Sequence, residues 1–157
     1  MASGRIACHS EDMTAGLIVL AVVLVAGTAI GLWRRSTDGR FGVTDESGPA
    51  GQPIDAALLA ALGADRPADA TLLQFSSAFC APCRAVRRIS GEVAALVPGV
   101  RHVEVDAESH LDAVRALDIW RTPTLLVLDA DGREIKRATG VPAKPQLIAA
   151  LGAAIKR

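Results

Sequence analysis

The chain has 157 residues, room for one ordinary domain and an appendage, and its 17 Lys and Arg residues balance 17 Asp and Glu residues. That balance, without a basic stripe, excludes nucleic acid as a partner of the chain as a whole. Three cysteines are too few for the disulfide framework of a small secreted domain, so cysteine usage leaves the compartment open.

Residues 1–12 form a short tail, in which Cys8 reads as a thiol without function. Residues 13–33 carry no charge and are dominated by Leu, Ile, Val, Ala and Gly. At about 1.5 Å per residue they match a hydrocarbon core of about 30 Å, which predicts a transmembrane helix with Trp33 as interfacial anchor and membrane lipid as a partner. The alternative is a cleavable signal peptide with small residues at Gly27 and Ala29. The basic segment such a peptide needs is nearly missing, since Arg5 is the only early Arg or Lys and Glu11 and Asp12 border the run.

Arg34, Arg35 and Arg40 lie on the other side of the span, which favours a cytoplasmic C-terminal domain over an extracytoplasmic one. A start at Met13 would remove Arg5 and Cys8 and sharpen that asymmetry. Residues 34–53 are polar and rich in Gly and Pro and read as a flexible linker, with Phe41 and Val43 the residues to dock if it packs on the domain or the headgroups.

Residues 54–157 then alternate. The pattern predicts a helix over 54–62, a strand over 71–76, a helix continuing to residue 96, a strand over 100–105 and a helix over 109–117. Thr124 to Leu128 is a continuous apolar run suited to a central strand, Asp131-Gly132 is a hairpin turn signal, and residues 133–138 return. A last helix over 144–155 places Leu147, Ile148, Leu151 and Ile155 on one face. The order describes an α/β sandwich around a mixed sheet.

The most informative stretch is Cys80-Ala81-Pro82-Cys83, two thiols at the handover from a buried strand to a helix. The first helical turn offers unpaired N–H groups and the positive end of the macrodipole, both of which favour a thiolate at Cys80. Cys83 lies one turn further on nearly the same face, within reach of a mixed disulfide at Cys80. Pro82 suits the first turn, where its missing N–H costs nothing. Arg84, Arg87 and Arg88 make this helix basic; Arg84 is nearest the site, and Arg88 with Glu92 forms an i, i+4 pair on a solvated face.

Phe75, Cys80-Ala81-Pro82-Cys83-Arg84, Val103-Glu104-Val105-Asp106, Ile119-Trp120-Arg121-Thr122-Pro123-Thr124, Asp131-Gly132 and Gly140 follow in an order that resembles the thioredoxin family over residues 54–157. The resemblance implies a thioredoxin fold, a mixed central sheet flanked by helices, preceded here by one N-terminal transmembrane helix. It implies a thiol-disulfide oxidoreductase with Cys80 attacking and Cys83 resolving. It further implies a cis Thr122–Pro123 peptide that faces the cysteines and pairs with extended substrate, and a groove bordered by Phe79, Ala81, Trp120 and Arg121. The partners it implies are disulfide-containing proteins and an electron donor, either a thioredoxin reductase or a membrane conduit. The redox group would be the Cys80–Cys83 disulfide itself; no haem-attachment motif is visible and no bound organic cofactor is called for.

Three residues depart from the family pattern. Phe79 and Ala81 stand where a Trp and a Gly are usual, Phe79 still offering a flat apolar cover. Gln74 stands where a buried Asp commonly accepts the proton of the resolving thiol, and an amide cannot do so at neutral pH. His102, near the position of a Lys that usually accompanies that Asp, is the conceivable substitute. The same motif permits a disulfide oxidase or isomerase, because direction depends on the potential. Two other classes stay open: a metal site of Cys80, Cys83, His102 and His110, whose spacing misses the usual zinc patterns, and a redox-inert adaptor.

Overall fold

The computed structural model describes residues 8–37, 41–42 and 53–155, with side chains for 14–33 and 53–155. It divides into two compact units, residues 1–37 and 38–157.

In the first unit a single helix, α1, runs over Cys8–Thr37. Its stretch Thr14–Trp33 has a mean hydropathy of 2.6 and is long and apolar enough to cross a membrane by length and composition. The helix extends past both boundaries expected at 13 and 33, because charged residues end an apolar run without breaking a helix. Inside the apolar stretch the Thr28 hydroxyl donates to the Leu24 carbonyl at 2.7 Å, which satisfies it without a partner from outside the helix.

The second unit contains β1 (Phe41–Gly42), α2 (Ala56–Ala61), β2 (Ala70–Ser76), α3 (Ala81–Leu96), β3 (Val100–Asp106), α4 (Leu111–Ala116), β4 (Thr124–Asp129), β5 (Glu134–Thr139) and α5 (Lys144–Ile155). The strands form one mixed sheet in the order β1-β5-β4-β2-β3. β2 pairs parallel with β3 and antiparallel with β4, and β5 pairs antiparallel with both β4 and β1.

Strand alternation builds two cores. Ala70 and Leu72 of β2 with Leu125 and Val127 of β4 meet Val86 and Val93 of α3 and Leu147 and Leu151 of α5. The intervening residues Leu73, Phe75, Leu126 and Leu128 face Leu59 of α2 and Ala113 and Leu117 at α4. Every residue of β2 and β4 is buried, which explains their near-continuous apolar sequence. Fully burying one such Leu is worth roughly 1.5–3 kcal/mol.

Local polar groups trim the predicted helices. Asp55 starts α2 by accepting from the N–H groups of Ala57 at 2.8 Å and Leu58 at 3.1 Å. The predicted helix over 109–117 starts only at Leu111, because Ser109 and His110 are held by Asp106: the Ser109 hydroxyl donates to its carboxylate and His110 Nδ1 meets its carbonyl at 3.0 Å.

Part of the segment read as a linker joins the sheet. Phe41 and Gly42 pair with Ala138 and Arg137, and Pro53 bridges to Arg133. The rest of that segment between 38 and 52, Val43 and Arg40 included, and residues 1–7 of the tail lie outside the described residues, as do the side chains of Arg34 and Arg35.

The Asp131-Gly132 turn joins β4 to β5 with Gly132 at φ +76°, and its carbonyl accepts from Ile54 N at 3.0 Å. A Cβ there would sit 2.7 Å from Leu59 Cδ1. Gly132→Ala is therefore expected to lower stability by about 1–3 kcal/mol, through backbone strain and displacement of Leu59, measured by urea unfolding.

Candidate active site

β2 ends at Ser76, and a short turn carries the chain to Cys80, the N-cap of α3. Cys80 N donates to the Ser77 carbonyl at 3.3 Å, and Cys83 N donates to both the carbonyl and the Sγ of Cys80, at 3.2 and 3.1 Å. A first-turn N–H of the helix is thus aimed at the first cysteine's sulfur, and Pro82 occupies the same turn without an N–H to satisfy.

Cys80 and Cys83 form a disulfide with their Cα atoms 5.2 Å apart. Cys83 is 2% exposed, whereas Cys80 is half-buried and flanked by the exposed Ala81 and Pro82. Of the two sulfur-bearing residues, Cys80 is therefore the one open to approach from solvent.

The loop between α4 and β4 meets this turn. The hydroxyls of Ser77 and Thr122 lie 3.1 Å apart, and the Thr122–Pro123 peptide is cis. Pro123 is buried, its carbonyl accepting from Gly140 N at 2.9 Å, and the Thr124 hydroxyl donates to the Arg121 carbonyl at 2.7 Å. Phe79 is 98% exposed and Trp120 88%. Phe79 does not cover the thiol as its flat ring suggested, since the turn after β2 directs it into solvent. Trp120 likewise shields little of the sheet edge. Arg84 and Arg121 are exposed.

Beneath the cysteines lies a connected set of polar groups. Gln74 is fully buried on the α3 face of β2. Its Nε2 donates to the Cys83 carbonyl at 3.0 Å and to the Ser76 hydroxyl at 2.8 Å, so both amide hydrogens are used. Its Oε1 must then accept, and it faces His102 Nε2 at 3.0 Å, which fixes that nitrogen as the protonated one. Ser76 donates on to Glu104 Oε1 at 2.6 Å, and Arg87 grips both Glu104 oxygens, through Nη2 at 2.7 Å and through Nε.

Two expectations change here. His102, proposed as a base for Cys83, instead donates to Gln74, so the side chain it was meant to replace stands between them. Arg87 lies on the solvated face as expected while its guanidinium also joins this chain of bonds, but Glu92 takes Lys144 at 3.0 Å where Arg88 was expected. Ser76, Ser77, Glu104 and Arg87 went unnoticed as site residues. The signal was present in the strand alternation: residues 74 and 76 share a sheet face with 102 and 104 once Gln74 pairs with Glu104.

His102 and His110 are held by separate groups, and among the described residues no three His, Cys, Asp or Glu side chains converge as a metal site.

The Thioredoxin family model matches residues 62–153. A thioredoxin of Chlamydia trachomatis is 31% identical over 77 residues, 49% of this chain and 74% of its own length. Thioredoxin H4-1 of Oryza sativa is 29% identical over 84 residues, 54% of this chain but 63% of that protein. Mitochondrial thioredoxin 3 of Saccharomyces cerevisiae, in its oxidized form, superposes with a TM-score of 0.52 over 60% of this chain and 88% of its own, at 20% identity, which shows the fold. The chain belongs to the thioredoxin family, and its fold is the thioredoxin fold. Its relatives and its Cys80–Cys83 disulfide make it, in general terms, a thiol-disulfide oxidoreductase.

The buried network sets a pH dependence. Burial holds the His102 imidazole below its ordinary value of 6.5 despite the nearby Glu104. Burial works against the Glu104 carboxylate, but hydrogen bonds from Arg87 and Ser76 and the Arg87 charge outweigh it and hold the group below 4.5. In both cases the unfolded chain binds protons the folded chain refuses, so stability falls with pH. The decline begins as pH drops through 6.5 and continues below 4.5. His102→Gln is expected to remove the first part of this decline and Glu104→Gln the second, read as urea midpoints across pH.

Proposed function

We propose that this chain is a membrane-tethered oxidoreductase that reduces disulfides of protein substrates through Cys80 and Cys83. The observation that carries the reading is the disulfide at the start of α3 with one sulfur reachable and the other buried. In the reduced protein, the Cys80 thiolate attacks one substrate sulfur; a Cys80–substrate disulfide forms and the other substrate sulfur leaves as a thiol after taking a proton. The Cys83 thiolate then attacks Cys80 Sγ, the mixed disulfide breaks, and the second substrate thiol is released. Two electrons pass to the substrate and the Cys80–Cys83 disulfide remains.

The Ser77–Thr122 contact supports a groove in which the backbone at Thr122 and Pro123 pairs with an extended substrate, rimmed by Phe79, Ala81, Trp120 and Arg121. Gln74 accepts no proton, so the Cys83 proton passes to water or to the departing substrate thiolate. Recycling takes two electrons from a thioredoxin reductase or, on the far side of a membrane, from a membrane electron donor. The apolar stretch Thr14–Trp33 supports insertion in lipid, about 30 Å at 1.5 Å per residue, and Arg34, Arg35 and Arg40 favour a cytoplasmic domain.

The test is a trap. Cys83→Ser in full-length protein is expected to accumulate mixed disulfides through Cys80 in cells, on clients of one side of the membrane, and these should vanish with Cys80→Ser added. No dithiothreitol-sensitive adducts would reject the reading, and adducts only with proteins gaining disulfides would reverse its direction.

A further inference from the structure

Arg137 on β5 ties the sheet to the loop that carries Thr122 and Pro123. Its Nε and Nη2 bond the two carboxylate oxygens of Glu134 at 2.8 and 2.7 Å, and its Nη1 donates to the Asp118 carbonyl at 3.1 Å. The ion pair is largely withdrawn from solvent, with side chains 24% and 10% exposed for Arg137 and Glu134. A planar fork held at two points leaves its other N–H groups, those of Nη1 among them, with fixed directions, which a Lys ammonium cannot reproduce.

The acceptor is unusual. Asp118 follows α4 with φ 55°, where Gly is the common choice, and the helix closes with Ile119 N on the Val114 carbonyl at 2.8 Å and Asp118 N on the Arg115 carbonyl at 3.3 Å. The left-handed residue ends the helix and leaves its own carbonyl to Arg137. Ile119 is buried beside it, and at the other end of the loop Gly140 N, just past β5, holds the Pro123 carbonyl. Arg137 and Gly140 thus fix the two ends of residues 118–123 from one strand and its exit, while Trp120 and Arg121 between them face solvent.

We propose that Arg137 is a positioning residue for protein substrates: by holding the Asp118 carbonyl it sets the course of residues 119–123 and so presents the Thr122–Pro123 backbone to an extended substrate segment. The proposal rests on the reductase reading of Cys80 and Cys83. Arg137 touches no reacting atom. Its loss loosens the groove and leaves the sulfur chemistry alone.

Reduction of insulin by dithiothreitol, catalysed by full-length protein in detergent, tests this. Replacing Arg137 alone would strand a nearly buried carboxylate, so Arg137→Met is combined with Glu134→Gln. The double variant is expected to raise KM for insulin about five- to tenfold with kcat within about twofold, since binding geometry changes and chemistry does not. Its Cys80–Cys83 equilibrium with glutathione should match that of the wild type. Arg137→Lys, which keeps a charge beside Glu134 without the fork, should show the same split. An unchanged KM in both variants, or a fall in kcat with a shifted glutathione equilibrium, would overturn the proposal. Wild-type protein that reduces insulin no faster than dithiothreitol alone would instead reject the reductase reading, and this proposal with it.

Discussion

The hydrogen bond from the Gln74 amide to the Cys83 carbonyl joins the central strand to the cysteine helix, and the geometry of the site depends on it. β2 is buried along its whole length, so a polar side chain at its centre is tolerated only if every one of its hydrogen-bonding groups is used. Gln74 meets that requirement with Cys83, Ser76 and His102. The position of Cys83 behind Cys80 is therefore enforced from below, by the cost of leaving a buried amide unpaired, about 1–3 kcal/mol for such a group.

A second constraint acts from the opposite side. The loop before β4 is anchored by the end of α4, by Arg137 and by Gly140, and meets the cysteine turn through Ser77 and Thr122. Both sides of the site thus rest on the sheet, the cysteines through β2 and the loop through β4 and β5. The exposed rings of Phe79 and Trp120 sit on turns whose ends are held, so apolar surface is presented on a fixed frame. The Arg87–Glu104 pair closes the network at its outer edge, where Arg87 is exposed and the pair by itself adds little to stability.

Much of this was legible in the sequence, for local reasons. The apolar run Thr124 to Leu128, the Asp131-Gly132 turn and the strand-to-helix setting of Cys80 each depend on neighbours a few residues apart. Gln74 was visible as an amide in an apolar run, and its chemical consequence followed from setting that amide against the Asp that the family resemblance implies there. What was hidden depends on register and distance. The Arg87–Glu104 and Arg137–Asp118 contacts join segments 17 and 19 residues apart and exist only once the strands are aligned. The same holds for β1: Phe41 was marked as a residue to dock, but its pairing with Ala138, and that of Gly42 with Arg137, needs β5 in place. Phe79 was misjudged because burial follows from the direction of one turn, which composition does not encode.

Equilibrating the reduced full-length protein with glutathione buffers of graded potential, then blocking and counting free thiols at each residue by mass, bears most directly on the Cys80–Cys83 pair. A dithiol-disulfide couple predicts that the two thiols disappear together in a single two-electron transition, about 30 mV per tenfold change. Loss of one thiol without the other, or of neither across the range, would contradict it.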